Sequence, residues 1–454
     1  MRYLPHTPEE IQEMLKTVGA ASIDELFASI PEALRFSRSL DLPPSLSEPE
    51  IRSLLGSLSH KNTPVSAYHK PSFLGAGSYY HTIPSIVSQL LLRGEFLTAY
   101  TPYQPEVAQG TLQAIFEYQT MVCEILGMDV SNASHYDGST ATAEAALMGL
   151  NITRRKKILI ASSLHPEYRE TLRTYIQDPE IVVEEIPFAP DGTLDRQALK
   201  KSLTHDVGCV VVGYPNFFGI LEDVSDIAEQ AHQMEAVLVT VTTEPVCLGL
   251  AKSPGEMGSD IAVAEGQSFG NSLNFGGPGL GFFATRHKYV RAMPGRLVGE
   301  TDDVEGHRGY VLTLATREQH IRREKASSNI CTNVALCALA ATITLTSLGK
   351  QGFQDLAQLN LDRAALLREE LASSEASFPF GATTFNEFVF ETRLPATKIL
   401  ERMLEKGVIA GLPLSRWYPG HERAILVCAT EMNTEEQIQQ YGHVFRKTCR
   451  ELGL

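Results

Sequence analysis

Residues 259–286, SDIAVAEGQSFGNSLNFGGPGLGFFATR, contain the pattern that decides the fold. The run DIAVAEG is almost continuously apolar, and it leads through a polar turn and a glycine-rich loop into a second apolar run, GFFATR. Continuous rather than alternating apolar residues are typical of strands buried on both faces of a mainly parallel sheet. The loop GPGLGF lacks the GxGxxG spacing and follows no βαβ entry, which argues against a dinucleotide site. The chain has no lysine between Lys252 and Lys288.

Four more apolar runs precede this stretch: KKILIAS, IVVEEIPF, GCVVVGYP and AVLVTVTT. Helical segments such as DVSDIAEQAHQM lie between them, so strand and helix alternate along the chain. That order predicts an α/β fold with a doubly wound, mainly parallel sheet in a large domain. Beyond about residue 350, helix and strand alternate again over roughly one hundred residues, which indicates a smaller C-terminal α+β domain.

We divide the chain of 454 residues into three parts, since it is too long for one compact core. Residues 1–60 are an N-terminal helical arm, and residues 61–330 are the large α/β domain. Residues 331–454 are a linking helix and the small C-terminal domain. The stretch 316–349, TREQHIRREKASSNICTNVALCALAATITLTSLG, predicts one long helix that leaves the large domain.

The arm carries helix-start signals. In TPEEIQEMLKTV, Thr7 can cap a helix and Glu10 can reach back to complete a capping box, while Pro8 suits the first helical position. Ser22 and Glu25 can form a second capping box in SIDELFASI. The first helix has one apolar face, and such a face must be buried. It is covered either by the chain's own large domain or by a partner subunit.

Composition excludes several classes of protein. The chain is 43% hydrophobic and 20% charged with a net charge of -15, which is ordinary for a globular protein and argues against a nucleic-acid-binding surface. No apolar run is long enough to cross a membrane, and the first residues resemble neither a signal nor a transit peptide. We therefore expect a cytoplasmic protein. The seven cysteines form no CxxC pair, which favours buried reduced thiols over a metal or disulfide site.

The first candidate site lies in SHYDGSTATAEAALMGL, residues 134–150. Gly138, Ser139 and Thr140 stand where a polar turn opens into a helix, and helix N-termini favour anions such as phosphate. Simple capping of the helix by Asp137 or Ser139 explains the same residues.

Two further candidates carry aromatic and positive side chains. Tyr100 and Tyr103 project from the proline-rich, non-helical segment TAYTPYQPE, where they either reach a site or pack on the surface. Arg317 and His320 belong to a positively charged group in TREQHIRREK, and they serve either an anion or an interface, or simply face solvent.

Long motifs in these segments together resemble one known family. YTPYQPEVAQG, YQTMVCEILGM, NFGGPGLGFFATR, PGRLVGET and TREQHIRREKASSNICT are similar to the glycine cleavage system P-protein, the pyridoxal phosphate (PLP)-dependent glycine dehydrogenase (decarboxylating). The resemblance covers essentially the whole chain and fits the separate N-terminal (alpha) subunit, subunit 1. It implies a fold-type I PLP-dependent transferase-like fold. It also implies a beta subunit as partner in an α2β2 heterotetramer, glycine as substrate and the lipoylated H-protein as acceptor of the aminomethyl group.

The resemblance also implies what this chain lacks. Counting back from GGPG, the lysine that would form the Schiff base falls on Gln267, and the aspartate that would pair with the pyridine nitrogen falls near Thr242 or Thr243. An amide nitrogen is not nucleophilic, and threonine carries no charge. The resemblance therefore implies that the beta subunit binds PLP covalently, that the turn at Gly138 is vestigial, and that this chain alone is inactive. We expect no metal site.

The chain can contribute to a shared site through Tyr100, Tyr103, Arg317 and His320, since a substrate carboxylate and a lipoyl arm need donors and cations. Two other interpretations stay open at this point. One is a self-sufficient PLP enzyme that uses a different lysine. The other is a scaffold that only stabilises its partner.

Overall fold

The computed structural model describes residues 5–36, 38–62, 70–326 and 328–453. The chain divides into two compact units, Met1–Thr63 and Pro64–Leu454. This division does not test the three-part boundaries at residues 60 and 330, which stay predictions.

The secondary structure alternates strand and helix through the middle of the chain. The α-helices are α1 (Pro8–Val18), α2 (Glu48–Ser59), α3 (Ser85–Leu91), α4 (Gly94–Leu97), α5 (Gln109–Leu126), α6 (Gly138–Thr153), α7 (Pro166–Tyr175), α8 (Arg196–Ser202), α9 (Ser225–Gln233), α10 (Gln319–Arg322), α11 (Ala335–Ala372), α12 (Ala396–Glu405) and α13 (Glu435–Glu451). The strands are β1 (Val130–Ser131), β2 (Lys157–Ala161), β3 (Val182–Ile186), β4 (Val207–Gly213), β5 (Val237–Thr242), β6 (Ile261–Glu265), β7 (Gly281–Thr285), β8 (Leu297–Asp302), β9 (Arg308–Thr313), β10 (Glu387–Glu391), β11 (Leu412–Pro413) and β12 (Ala424–Cys428).

Seven strands form the main sheet in the order β1-β7-β6-β5-β4-β2-β3. The strands β2 to β6 are parallel to their neighbours among themselves, and β7 runs antiparallel to both β6 and β1. The prediction of a mainly parallel α/β sheet is therefore confirmed. Because parallel strands end at the same edge, the turns after β2, β5 and β6 lie close together there.

Both faces of the sheet are covered, as the continuous apolar runs predict. Ile158 and Ile160 of β2 pack with α6 and α7 on one face. The alternate residues Leu159 and Ala161 pack with α8 and α9 on the other. The β6–β7 end of that second face is closed by α5 and α11, for example through Tyr118 against the ring of Phe282.

A second, three-stranded antiparallel sheet of order β10-β12-β11 follows in the C-terminal part. Its core joins Phe388 and Phe390 of β10 to apolar residues of α11, α12 and α13. The helix α11 reaches this core through a break at Gly349, whose φ of 61° and ψ of −177° are not helical. Glycine adopts this positive φ without the steric cost that a side chain would bring.

The N-terminal unit has the helix starts that the sequence predicts. The Thr7 hydroxyl accepts from the N–H of Glu10 at 3.3 Å, and the Glu10 carboxylate accepts from the N–H of Thr7 at 2.7 Å. Ser22 accepts from the N–H of Glu25 at 3.3 Å, although here only a 3₁₀ turn, Asp24–Phe27, forms. Within the described part of this unit, Leu15 is the one buried apolar side chain. The described residues of this unit therefore form no core of their own.

The prediction of one long helix through residues 316–349 is wrong. The structure has 3₁₀ turns at Ala315–Arg317 and Arg323–Lys325, with the one-turn helix α10 between them, and α11 begins only at Ala335. Tertiary hydrogen bonds hold the intervening segment extended: the N–H of Cys331 donates to the Tyr136 hydroxyl and the N–H of Val334 to the Ser134 hydroxyl, each at 3.1 Å. These bonds compete with the helical ones, which a local pattern does not reveal.

No helix in the described part of the chain is both long and apolar enough to cross a membrane. The cysteines are all free, and Cys209, Cys247 and Cys428 are buried in β4, in a turn after β5 and in β12. The described residues hold no cluster of three or more histidine, cysteine or acidic side chains suited to a metal ion.

Candidate functional site

Gln267 lies in a 3₁₀ turn directly after β6, at the carboxyl edge of the main sheet. Its side-chain oxygen accepts from the backbone N–H of Tyr79 at 3.2 Å, and its amide nitrogen donates to the carbonyl of Asn271 at 2.7 Å. Both ends of the amide are therefore engaged by the chain itself. Gln267 acts as a bridge between the segment before α3 and the glycine-rich loop.

The start of α6 is the second part of the site. Asp137 caps it, since its carboxylate accepts from the N–H of Thr140 at 2.8 Å and from the Ser139 hydroxyl at 2.6 Å. The N–H of Gly138 donates instead to the carboxylate of Glu265 at 2.8 Å. The turn proposed for a phosphate is thus filled by two carboxylates of this chain.

Glu265 is the last residue of β6 and is only 7% exposed. Besides the Gly138 bond, its carboxylate accepts from the N–H of Leu280 at 2.9 Å and from the N–H of Gln267 at 3.0 Å. Burial raises the pKa of Glu265 to about 7, although the backbone donors oppose the rise. The carboxylate connects three segments: the start of α6, the turn after β6 and the glycine-rich loop.

The strand end of β5 is uncharged at the two positions singled out in the sequence. Thr242 and Thr243 are buried, and the Thr242 hydroxyl has no hydrogen-bond partner among the described residues. The next residue, Glu244, does carry a charge, but it accepts from the Ser268 hydroxyl at 3.1 Å and contacts His81 Nε2 at 3.0 Å. Its carboxylate therefore belongs to a different hydrogen-bond network.

His81 is the centre of that buried network. Its Nδ1 lies 2.9 Å from the Glu431 carboxylate and its Nε2 contacts Glu244. Burial alone lowers the pKa of His81, but the two carboxylates outweigh it and raise the pKa to about 10. The pKa of Glu431, which burial alone would raise, is lowered to about 2 by the bond to His81. The network connects three separate parts of the chain: the segment before α3, the turn after β5 and the segment before α13.

A cavity of about 270 Å³ opens beside these groups. It is lined by Ala76, Gly77, Ser78, Asp137, Ser139, His165, Glu167, Tyr168, Glu265, Gln267, Ser272, Leu273, Gly276, Gly277, Pro278 and Gly279. His165 Nε2 lies 2.7 Å from the carbonyl of Ala76, and burial lowers the pKa of His165. The ring is therefore neutral and donates to that carbonyl. The described lining contains carboxylates but no lysine or arginine.

Tyr103 belongs to a second cluster, formed around Arg296. The guanidinium of this 4%-exposed arginine donates to the carbonyl of Cys331 at 2.9 Å and to the Thr332 hydroxyl at 2.7 Å. It also lies 3.4 Å from the Tyr103 hydroxyl and 5.5 Å from the centre of that ring. The carboxylate of Glu318 stands 3.6 Å from Nε, at ion-pair distance but without a hydrogen bond.

The other predicted side chains lie around this cluster in different settings. Tyr100 is 77% exposed and lines a small apolar pocket with Phe96 and Ala338. Arg317 donates to the carbonyls of Leu314 and Gly295, both at 3.1 Å. His320 is exposed, with Nδ1 3.5 Å from Glu318. The structure thus brings Tyr103 and Glu318 to Arg296, and it brings Arg317 to the preceding residue, Gly295. Tyr100 and His320 remain mainly exposed to solvent.

Three residues of these clusters were not predicted from the sequence: Glu265, Arg296 and His81. Glu265 offered a signal, since it is an acid at the carboxyl end of a buried, otherwise apolar strand. Arg296 was visible only as part of the motif PGRLVGET. His81 gave no local signal, because both of its partners are far away in the sequence.

Similarity to known proteins places this chain in a family. The family model described as glycine cleavage system P-protein matches residues 1–445. This chain belongs to that family. A probable glycine dehydrogenase (decarboxylating) subunit 1 of Desulfitobacterium hafniense (strain DSM 10664 / DCB-2) is 52% identical over 441 residues, which cover 97% of this chain and 98% of the relative.

Solved structures agree with this placement. A crystal structure of glycine decarboxylase (P-protein) of the glycine cleavage system, in inhibitor-bound form, matches with a TM-score of 0.89 at 43% identity, over 99% of this chain and 100% of that chain. The sphingosine-1-phosphate lyase of Burkholderia pseudomallei K96243 matches with a TM-score of 0.66 at 14% identity, over 92% of this chain and 94% of that one, which shows the fold alone. The predicted fold-type I PLP-dependent transferase-like fold is confirmed.

The residues of this P-protein chain do not fit a covalently held PLP. A Schiff base needs an amine, and Gln267 supplies an amide whose two ends are already hydrogen-bonded. A protonated pyridine nitrogen needs a carboxylate, and Thr242 offers a hydroxyl. A phosphate needs donors, and those at Gly138 and Leu280 are occupied by Glu265.

Proposed function

We propose that this chain is the alpha subunit of a two-chain P-protein and does not itself anchor PLP. Together with a beta subunit, in an α2β2 heterotetramer, it decarboxylates glycine and releases carbon dioxide. The aminomethyl group passes to the lipoyl arm of the H-protein. Because the lipoyl disulfide is reduced in that transfer, the complex is an oxidoreductase, glycine dehydrogenase (aminomethyl-transferring, decarboxylating).

Gln267 is the observation that carries this proposal. From its spacing to GGPG, we assign it to the lysine position of a PLP enzyme of this fold. The chain matches a subunit 1 relative over nearly that relative's whole length. The cofactor is therefore assigned to the beta subunit. A cytoplasmic location belongs to the same proposal and is supported by the free cysteines, since reduced thiols are typical of a reducing compartment.

We assign the contribution of this chain to the Arg296 cluster. Tyr100 and Tyr103 stand on a proline-rich segment with exposed rings. Arg317 brings a positive charge to its neighbourhood, and His320 brings an imidazole. Phenol hydroxyls and cations are the groups that bind a substrate carboxylate or a cofactor phosphate. Exposure in the single chain is what a residue needs if it is to reach a site that a partner completes.

Two other functions make different predictions. A self-sufficient PLP enzyme would show a PLP chromophore in the purified chain, and borohydride would fix the cofactor on one of its lysines. A pure scaffold would retain full turnover after changes at Tyr100 or Tyr103, provided that the complex remained assembled.

The deciding experiment measures exchange of labelled bicarbonate into the carboxyl group of glycine, with H-protein present. We expect activity when this chain and its beta subunit are mixed, and none with this chain alone. Sedimentation of the mixture should show a heterotetramer. Exchange by this chain alone would overturn the assignment, and so would two chains that remain separate at micromolar concentration.

A further inference from the structure

Glu265 occupies a place where this fold offers hydrogen-bond donors to an anion. The helix α6 is 16 residues long, and its N-terminus carries the positive end of the helix dipole. The N–H of Gly138 at that end points to the Glu265 carboxylate, and so do the N–H groups of Leu280 and Gln267, all within 3.0 Å. Three backbone donors from three segments converge on one buried acceptor.

The side chain also fills the space between α6 and the glycine-rich loop. A Cβ atom added at Gly138 would lie 3.0 Å from the Cβ of Glu265, and one added at Gly279 would lie 3.3 Å from its Oε2. Both distances are tighter than ordinary van der Waals contact. The three donors therefore already have an acceptor, held close to both glycines, while the Glu265 side chain is in place.

Among the described residues, the neighbouring cavity offers no positively charged side chain that could bind a phosphate in place of these donors. Its described lining includes the carboxylates of Asp137 and Glu167 as well as that of Glu265, and it has no lysine or arginine. A phosphate group entering this cavity would meet negative charge and find the N–H groups of Gly138, Leu280 and Gln267 already bonded to Glu265. The cavity therefore disfavours phosphate groups, which this fold otherwise accommodates.

We propose that Glu265 is an internal anion that takes the place of a ligand phosphate at the start of α6, so that the chain closes this site to phosphate esters and folds without them. The inference deepens the part of the proposed function that places PLP on the beta subunit. It accounts for the carboxylate that accepts from the N–H of Gly138 at the helix start.

The test replaces the carboxylate by a small group and asks whether phosphate takes its place. In full-length Glu265→Ser, the three backbone donors and the space are free. At pH 8, where Glu265 of the unaltered chain is mainly ionised, we expect inorganic phosphate to raise the melting temperature of the variant by about 2 °C over chloride at equal ionic strength. The unaltered chain should show no such gain.

Two matched variants separate the causes. Glu167→Ser removes an exposed carboxylate from the same cavity but leaves the donors bonded, so it should not respond to phosphate. Glu265→Gln keeps the volume and removes the charge, so the space stays filled and phosphate should again have no effect. This second variant keeps the test usable if Glu265→Ser does not fold.

The proposal is overturned if the unaltered chain gains as much from phosphate as Glu265→Ser. It is equally overturned if folded Glu265→Ser gains nothing, if Glu167→Ser gains as much, or if Glu265→Gln becomes responsive. None of these readings depends on glycine exchange. A failure here is therefore distinct from a failure of the proposed activity.

Discussion

Arg296 and Tyr103 are far apart in the sequence, yet the guanidinium Nη2 lies 3.4 Å from the phenol oxygen. The same arginine holds Cys331 and Thr332 through the bonds described above and stands at ion-pair distance from Glu318. Segments from three of the motifs that resemble the P-protein family therefore meet at one buried cation. That convergence gives the tyrosine loop a fixed position on the surface of this chain.

The tyrosine loop provides the first prediction. We expect Tyr100→Phe or Tyr103→Phe, assayed in complexes shown by sedimentation to be intact, to lower the exchange rate about a hundredfold, because a lost donor in a desolvated site costs about 3 kcal/mol. Tyr289→Phe, in a turn after β7, is the control and should change the rate little. If neither loop variant changes the rate more than a few-fold, the loop is scaffold.

The second prediction concerns the stability that Arg296 provides. In Arg296→Lys the charge remains but the planar fork is lost, so the bonds to Thr332 and Cys331 cannot both form. We expect the free energy of unfolding to fall by about 2–3 kcal/mol, as for a lost hydrogen bond to a charged group. The exposed Arg393→Lys should lie within about 0.5 kcal/mol of the unaltered chain. Urea denaturation measures the free energy of unfolding of each variant. Equal free energies for Arg296→Lys and Arg393→Lys would contradict the prediction.

The buried network at His81 provides the third prediction, which concerns pH. The pKa of His81 is raised from 6.5 to about 10, so its stabilisation is fully present below pH 6.5 and is lost as the pH rises through 10. The pKa of Glu431 is lowered from 4.5 to about 2, so its stabilisation is present above pH 4.5 and is lost as the pH falls through 2. The two groups stabilise the fold together between pH 4.5 and 6.5.

His81→Gln tests this window, because it leaves two buried carboxylates without their cation. We expect a loss of about 3–5 kcal/mol in the free energy of unfolding at pH 5.5, since one partner of a buried ion pair is removed. The loss should shrink steadily when the denaturation is repeated at pH 8 and 9.5. The exposed His205→Gln serves as the control. A loss that does not depend on pH would show that His81 packs as a neutral ring.

The fourth prediction concerns covalent chemistry at position 267. After borohydride reduction of the complex, mass spectrometry should find a pyridoxyl-lysine on the beta subunit and none on this chain. Gln267→Lys alone should not give this chain activity, because Thr242 cannot pair with a pyridine nitrogen and the N–H of Tyr79 would lose its acceptor. A stoichiometric adduct on any lysine of the unaltered chain contradicts the proposed function.

The main sheet and the family were predictable from the pattern of residues alone. The runs around Val211 and Val263 are apolar at every position, and only strands covered on both faces bury such runs completely. The helix start at Asp137 was predictable too, since a cap is a local property of a few residues. The assignment of Gln267 to the lysine position rests on the spacing to GGPG and stays a prediction.

The bonding partners of the buried charged groups follow from contacts between distant parts of the chain. Glu265 reaches Gly138 across 127 positions, and His81 reaches Glu431 across 350. No periodicity records such pairs, because the sheet order and not the sequence spacing brings the residues together. The same reason explains why residues 328–334 are extended and not helical: their backbone groups are bonded to side chains near residue 134, and those bonds exist only in the folded chain.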